Sequence, residues 1–204
     1  AKNNEVYAQY LNLIEKSVDS INHFSEIPFL PISLFKTHLV KTGNLRTNHV
    51  FESSTTTGSM PSKHHINRIN DYHENCLKIL ENRIGPLTEY EIFGLLPNYL
   101  ERKNSSLVSM VEFLMQKNKQ PLNFYLYNFE ELDQKMKETS KKKLLFGVSF
   151  ALMDFAKDYP QSLSDLTVIE TGGMKGRKQE ITKPDLYQIL QKSFEGSTII
   201  SEYG

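Results

Sequence analysis

Residues 51–64 read Phe-Glu-Ser-Ser-Thr-Thr-Thr-Gly-Ser-Met-Pro-Ser-Lys-His, with five consecutive hydroxyl side chains ahead of a glycine, a proline and a lysine. The hydroxyls of Ser53, Ser54, Thr55, Thr56 and Thr57 and the backbone N–H groups around them can donate to anionic oxygens. Gly58 removes side-chain bulk, and Lys63 adds a point charge on a flexible stem. This is chemistry suited to holding phosphates. It is not a Walker A loop, because Pro61 and Ser62 precede Lys63 where that motif requires glycine. Composition alone favours a solvated Ser/Thr linker.

Other reactive residue types carry less. His64 and His65 follow the hydroxyl run and fit either a ligand contact or the opening of a helix. His23, His38, His49 and His73 show no ligand spacing with cysteine or acidic partners, so no metal site is assignable. Cys76 falls on the apolar side of a helical pattern and reads as a packing residue. Ser105 and Ser106 lack a Gly-x-Ser-x-Gly elbow and read as a helix cap before Leu107. Lys175 and Arg177 fit either phosphate contact or a charged surface turn.

The elements that must position these residues follow from periodicity. Val6, Tyr7, Tyr10, Leu11, Ile14, Val18 and Ile21 predict an N-terminal helix ending before Pro28. Strands are expected at 49–52, 90–95, 124–127, 144–148, 168–170 and 198–201. Helices are expected from about Ile66 to Gly85, and over 107–116, 130–138, 151–157 and 184–194, the last with Thr182 as a cap and Pro184 early in the helix. Alternating strands and helices predict an α/β fold, a mainly parallel sheet flanked by helices. Ligands of open parallel sheets bind beyond the carboxyl ends of the strands. The segments after Glu52, Glu170 and Ser201 are all expected there, at one shared site.

Composition bounds the function. The chain has 204 residues, 39% hydrophobic and 24% charged, which suits a folded domain, and its 24 basic residues balance 24 acidic ones. No global field favours nucleic acid or an anionic membrane. The single cysteine excludes an intrachain disulfide, and the absence of a signal-like segment makes the cytoplasm the expected compartment. The longest apolar stretch, about Leu144 to Met153, is too short to span a bilayer.

Three ordered segments carry a resemblance. Ser-Ser-x-Thr-Thr-Gly-x-x-Pro-Ser-Lys-His from Ser53 to His64 resembles the phosphate loop of the adenylate-forming enzymes. Glu170-Thr-Gly-Gly-Met-Lys-Gly-Arg177 resembles the nucleotide-binding turn of their acyl-protein synthetase branch. Ser201-Glu202-Tyr203-Gly204 resembles the start of that family's aromatic and acidic motif. The branch includes the fatty-acid-activating subunit of bacterial bioluminescence systems and is similar to phenylacetate-CoA ligases.

The resemblance implies ATP and Mg²⁺ as cofactors, an apolar carboxylic acid as substrate, and acyl transfer to a protein thiol, or to coenzyme A as the alternative. A non-catalytic binding module is a third reading. Ser53, Ser54, Thr55, Thr56, Thr57 and Gly58 would cradle phosphates, and Lys63 and His64 would act on the leaving pyrophosphate and the reacting groups. Gly172, Gly173, Met174 and Arg177 would lie against the nucleotide, with Glu202, Tyr203 and Gly204 beside the adenine. Thr55 stands where the family has glycine. The family's ribose-binding acidic residue and C-terminal domain would follow Gly204. Residues 1–204 are therefore expected to be part of a large N-terminal adenylation domain, poorly active alone and prone to self-association through an unpaired sheet edge.

Overall fold

The computed structural model describes residues 2–53, 60–97, 104–173 and 181–202. The chain divides into two compact units, Ala1–Tyr72 with Asn104–Ser106, and His73–Lys103 with Leu107–Gly204. The first contains helices α1 (Glu5–Leu13) and α2 (Leu34–Thr37) and the strands β1 (His49–Glu52) and β2 (Lys63–Ile66), paired antiparallel. Asn4 caps α1 by accepting the Tyr7 amide at 3.1 Å, satisfying one of the helix's orphan donors.

The N-terminal helix stops at Leu13, short of the expected run to Ile21. Glu15 takes a φ of +51°, and the Lys16 N–H donates to the Leu11 carbonyl at 3.0 Å, so the chain leaves the helix through a left-handed cap. Ser17 then caps a separate 3-10 turn, Val18–Ser20. Among the described residues of this unit the buried apolar side chains are Leu11 and Phe51, and Phe51 packs on Tyr72 with ring centroids 5.0 Å apart.

The second unit holds most of α3 (Ile69–Ile84) and α4 (Ser106–Lys117). With them are β3 (Tyr90–Leu95), β4 (Phe124–Tyr125), α5 (Phe129–Glu138), β5 (Lys142–Gly147), α6 (Ser149–Asp158), β6 (Gln161–Ser162), β7 (Leu166–Glu170), α7 (Lys183–Ser193), β8 (Phe194–Glu195) and β9 (Thr198–Ser201). Five strands form one sheet in the order β4-β3-β5-β7-β9, and every pairing is parallel. β6 and β8 pair separately, also in parallel. The α/β expectation and the main strands are therefore observed, while β2, β6, β8 and α2 were not anticipated.

The residues explain why this sheet is parallel and buried. Ile92, Phe93, Leu95, Leu144, Leu145 and Val168 are fully buried; consecutive residues of a strand point to opposite faces, so both faces are covered. Thr182 caps α7 by accepting the Asp185 amide, with Pro184 in the first turn, as its residue types dictate.

The strands end together. Leu95, Gly147, Glu170 and Ser201 are successive partners across β3, β5, β7 and β9 and form one row at the carboxyl edge. Gly147 is required there for space: a Cβ would stand 2.5 Å from Leu152 Cδ2 and 2.6 Å from its Cγ, and Leu152 is fully buried. The missing side chain lets the start of α6 close over the row. Gly147→Ala is expected to destabilise the fold by about 1–3 kcal/mol, the cost of overpacking a filled core. Urea denaturation measures it, and a loss below about 0.5 kcal/mol would contradict this account of the contact.

Candidate functional site

The hydroxyl-rich segment belongs to the first unit and joins β1 to β2. Ser53 and Ser62 close its neck: the Ser53 N–H donates to the Ser62 carbonyl and the Ser62 N–H donates to Ser53 Oγ, each at 3.0 Å. Ser54, Thr55, Thr56, Thr57 and Gly58 lie outside the described residues. The segment does not follow a strand of the parallel sheet, as expected, but links two antiparallel strands. Lys-His-His-Ile is paired residue for residue with His-Val-Phe-Glu and does not open a helix.

This pairing separates Lys63 from His64. Glu52 faces Lys63 and Phe51 faces His64 in register, and successive strand residues point to opposite sides. Lys63 Nζ lies 3.8 Å from Glu52 Oε1, while His64 is exposed on the side of Phe51. The two therefore do not present their side chains to one face. The Glu52 N–H also donates to the Asn104 carbonyl at 2.9 Å.

In the second unit, Glu170 ends β7 and is 3% exposed. An ionised carboxylate is costly to bury without donors, and this one has three. Ser149 Oγ donates to Glu170 Oε1 at 2.6 Å, the Gly172 N–H donates to the same oxygen at 2.6 Å, and Ser201 Oγ donates to Oε2 at 3.4 Å. Lys183 Nζ in turn donates to Ser201 Oγ at 2.5 Å.

Backbone groups bind the same elements. The Thr171 N–H donates to the Gly147 carbonyl at 3.0 Å, the Ser149 N–H to the Gly172 carbonyl at 3.3 Å, and the Glu202 N–H to the Glu170 carbonyl at 2.9 Å. The loop after β5, the turn after β7 and the residue after β9 thus form one connected edge.

Gly172 and Gly173 both have positive φ, 76° and 93°, a conformation that costs L side chains and that glycine adopts freely. A Cβ at Gly172 would meet no heavy atom within 4 Å. The requirement there is one of backbone conformation, and the space beside it is open.

Met174, Arg177, Tyr203 and Gly204 lie outside the described residues. Glu202 follows β9, bonded through its N–H to the Glu170 carbonyl, and its carboxyl is pushed up, first by burial and then by the charge of Glu170. Among the described residues no group of three or more His, Cys, Asp or Glu side chains could hold a metal ion, and no helix is long and apolar enough to cross a membrane. Cys76 is half-buried.

Glu170, Ser149 and Ser201 were not singled out as site residues from the sequence. The signal for Glu170 was a carboxylate directly ending the apolar run Val168-Ile169, where a buried strand should hold no unpaired charge. Nothing in the sequence linked it to Ser149.

No protein-family model matches the chain, and no curated protein does. Among solved structures it is similar to the luciferase-like enzyme of the nonluminescent mealworm Zophobas morio, at TM-score 0.48 and 18% identity, covering 80% of this chain and 36% of that one. It is also similar to a mutant form of coronafacic acid ligase from Pectobacterium brasiliense, at TM-score 0.49 and 17% identity, covering 80% of this chain and 30% of that one.

The Glu202 carboxyl gives a pH-dependent prediction. A carboxyl whose folded value is raised holds its proton more tightly in the folded state, so its stabilising contribution is complete at low pH and is lost as pH rises through the raised value. Glu202→Gln is expected to melt higher than wild type at neutral pH, with the gap closing below the ordinary carboxylate range. Thermal melts at pH 3 and pH 8 would measure this; a gap independent of pH would show that the buried charge is not the cause.

Proposed function

We propose that the chain is part of an adenylate-forming enzyme that activates a carboxylic acid with ATP. The observation that carries the reading is the placement of two motifs of the resemblance. Glu170-Thr-Gly-Gly and Ser201-Glu202 leave the carboxyl ends of adjacent strands in one row, where ligands of open parallel sheets bind. The Gly172–Gly173 turn would lie against the nucleotide, since its open, side-chain-free backbone suits approach to a flat ring.

In the proposed reaction a carboxylate oxygen attacks the α-phosphorus of ATP. The bond to pyrophosphate breaks, and an acyl-adenylate forms. Lys63 and the hydroxyls beginning at Ser53 are assigned to the phosphates by motif resemblance. A cation and hydroxyl donors there would stabilise charge developing on the leaving group. Mg²⁺, which would accompany the nucleotide phosphates, supplies the remaining charge neutralisation. We further propose a fatty or other apolar acid as substrate and a protein thiol as acceptor, with coenzyme A as the competing acceptor.

The test is calorimetry of ATP with Mg²⁺ on the chain, beside Lys63→Ala and Gly173→Val. The Lys63–Glu52 pair is part-exposed and long, at 3.8 Å, worth about 0–1 kcal/mol to stability, so Lys63→Ala reports on binding and leaves the fold intact. Valine at Gly173 forces a β-branched residue into positive φ. Each variant is expected to weaken ATP binding about tenfold or more, the size of one lost charge-assisted contact. Absent binding in the wild-type chain, or equal binding in all three proteins, would overturn the reading. Acyl transfer from a labelled acid to a protein thiol or to coenzyme A would then separate the two acceptors.

A further inference from the structure

The Gly172–Gly173 turn, with φ of 76° and 93°, has to be held in shape before any ligand meets it. Two consecutive glycines at positive φ are the least self-supporting backbone a chain can present, since glycine has the most conformations to lose. The turn must be fixed from outside: the Ser149 N–H donates to the Gly172 carbonyl and the Thr171 N–H to the Gly147 carbonyl, and the described acceptor of the Gly172 N–H is one buried side chain. The Glu170 carboxylate accepts the Gly172 N–H at 2.6 Å and ties that amide to Ser149, which opens α6, and to Ser201, which ends β9.

We propose that Glu170 is the positioning residue of this turn: its buried carboxylate fixes the Gly172–Gly173 backbone against α6 and β9 in the geometry a nucleotide would meet. The proposal rests on the nucleotide reading for its function but not for its geometry. Glu170 is not itself placed to contact a ligand, since it is 3% exposed and both its oxygens accept from protein donors. Its effect passes through Gly172. Lys183 supports the same network at one remove, donating to Ser201 Oγ, so that the serine hydroxyl proton is free to point at Glu170.

The chemistry of the network separates positioning from mere space filling. In Glu170→Gln the amide oxygen still accepts from Gly172, and the amide nitrogen meets Ser201, a hydroxyl that can turn to accept. In Glu170→Ala the Gly172 N–H loses this acceptor, and the turn keeps only its backbone bonds to Ser149 and Gly147. In Ser149→Ala a competing donor to Oε1 is removed, and the Gly172 hydrogen bond tightens.

Two readouts test this, the Gly172 amide proton shift by NMR and the Kd for AMP by calorimetry, on wild type and the three variants, each first confirmed folded by a cooperative melt. The Gly172 amide, donating to a carboxylate at 2.6 Å, should lie far downfield as a short charge-assisted bond does. Glu170→Ala should move it upfield and raise the AMP Kd about tenfold or more. Glu170→Gln should hold AMP affinity within about threefold, and Ser149→Ala should move the amide further downfield.

A folded Glu170→Ala protein that binds AMP as wild type does would overturn the proposal, as would a Gly172 amide indifferent to Glu170→Ala. Should Glu170→Ala not fold, an amide unmoved in Ser149→Ala overturns it equally. If the wild-type chain binds no AMP, the nucleotide reading fails on its own, and the amide shifts still decide whether Glu170 sets the turn.

Discussion

A carboxylate at the end of a buried strand has to find donors, and the way Glu170 finds them organises the carboxyl edge of the sheet. Its three donors come from three chain segments: Ser149 from the start of α6, Gly172 from the turn after β7, and Ser201 from the end of β9. Each would be left against a buried charge if the others moved. The cost of an uncompensated buried carboxylate is several kcal/mol, enough to hold three chain segments in one arrangement. Gly147 permits it, because without a side chain in that row α6 begins close enough for Ser149 to reach the carboxylate.

The first unit is built on a different constraint. Its β1–β2 ribbon is antiparallel, so the hydroxyl-rich segment is a hairpin connection whose neck is closed by the reciprocal Ser53–Ser62 bonds. Such a ribbon fixes where the connection starts and ends and assigns each flanking residue to a side. Lys63 falls with Glu52 and His64 with Phe51. The part-exposed Glu52–Lys63 pair, at 3.8 Å, adds little to the stability of the ribbon, whose register rests on the backbone ladder.

The parallel strands were legible because burial on both faces leaves uninterrupted apolar runs such as Ile-Phe, Leu-Leu-Phe and Val-Ile, and β1 and β9 were placed at their observed limits. β2 was not legible. Lys-His-His-Ile shows neither alternation nor an apolar run, and it is a strand because β1 offers it a complete ladder. The N-terminal helix was overextended for a comparable reason, since the helical period continues to Ile21 while Glu15 leaves the helix in a conformation that periodicity does not encode. At the site, the Gly-Gly turn was legible through its resemblance to a family motif, whereas the role of Glu170 depends on Ser149 and Ser201, whose nearness follows only from the strand order.

That strand order also bears on where the polar edge forms. The connection from β3 runs to β4 on one side and the connection from β5 runs to β7 on the other, and a reversal of this kind usually opens the ligand crevice of a parallel sheet. Here the ends of β3 and β5 are drawn together beyond their ladder by the Val148 N–H, which donates to the Leu95 carbonyl at 3.3 Å. Leu96, Val148 and Phe150 around that junction are buried and apolar. Among the described residues, the polar groups gather one strand further on, where Glu170, Ser201 and Glu202 close the ends of β7 and β9. The carboxyl edge is thus divided: between β3 and β5 it is closed by apolar packing, and at β7 and β9 by a buried carboxylate that takes up the donors around it.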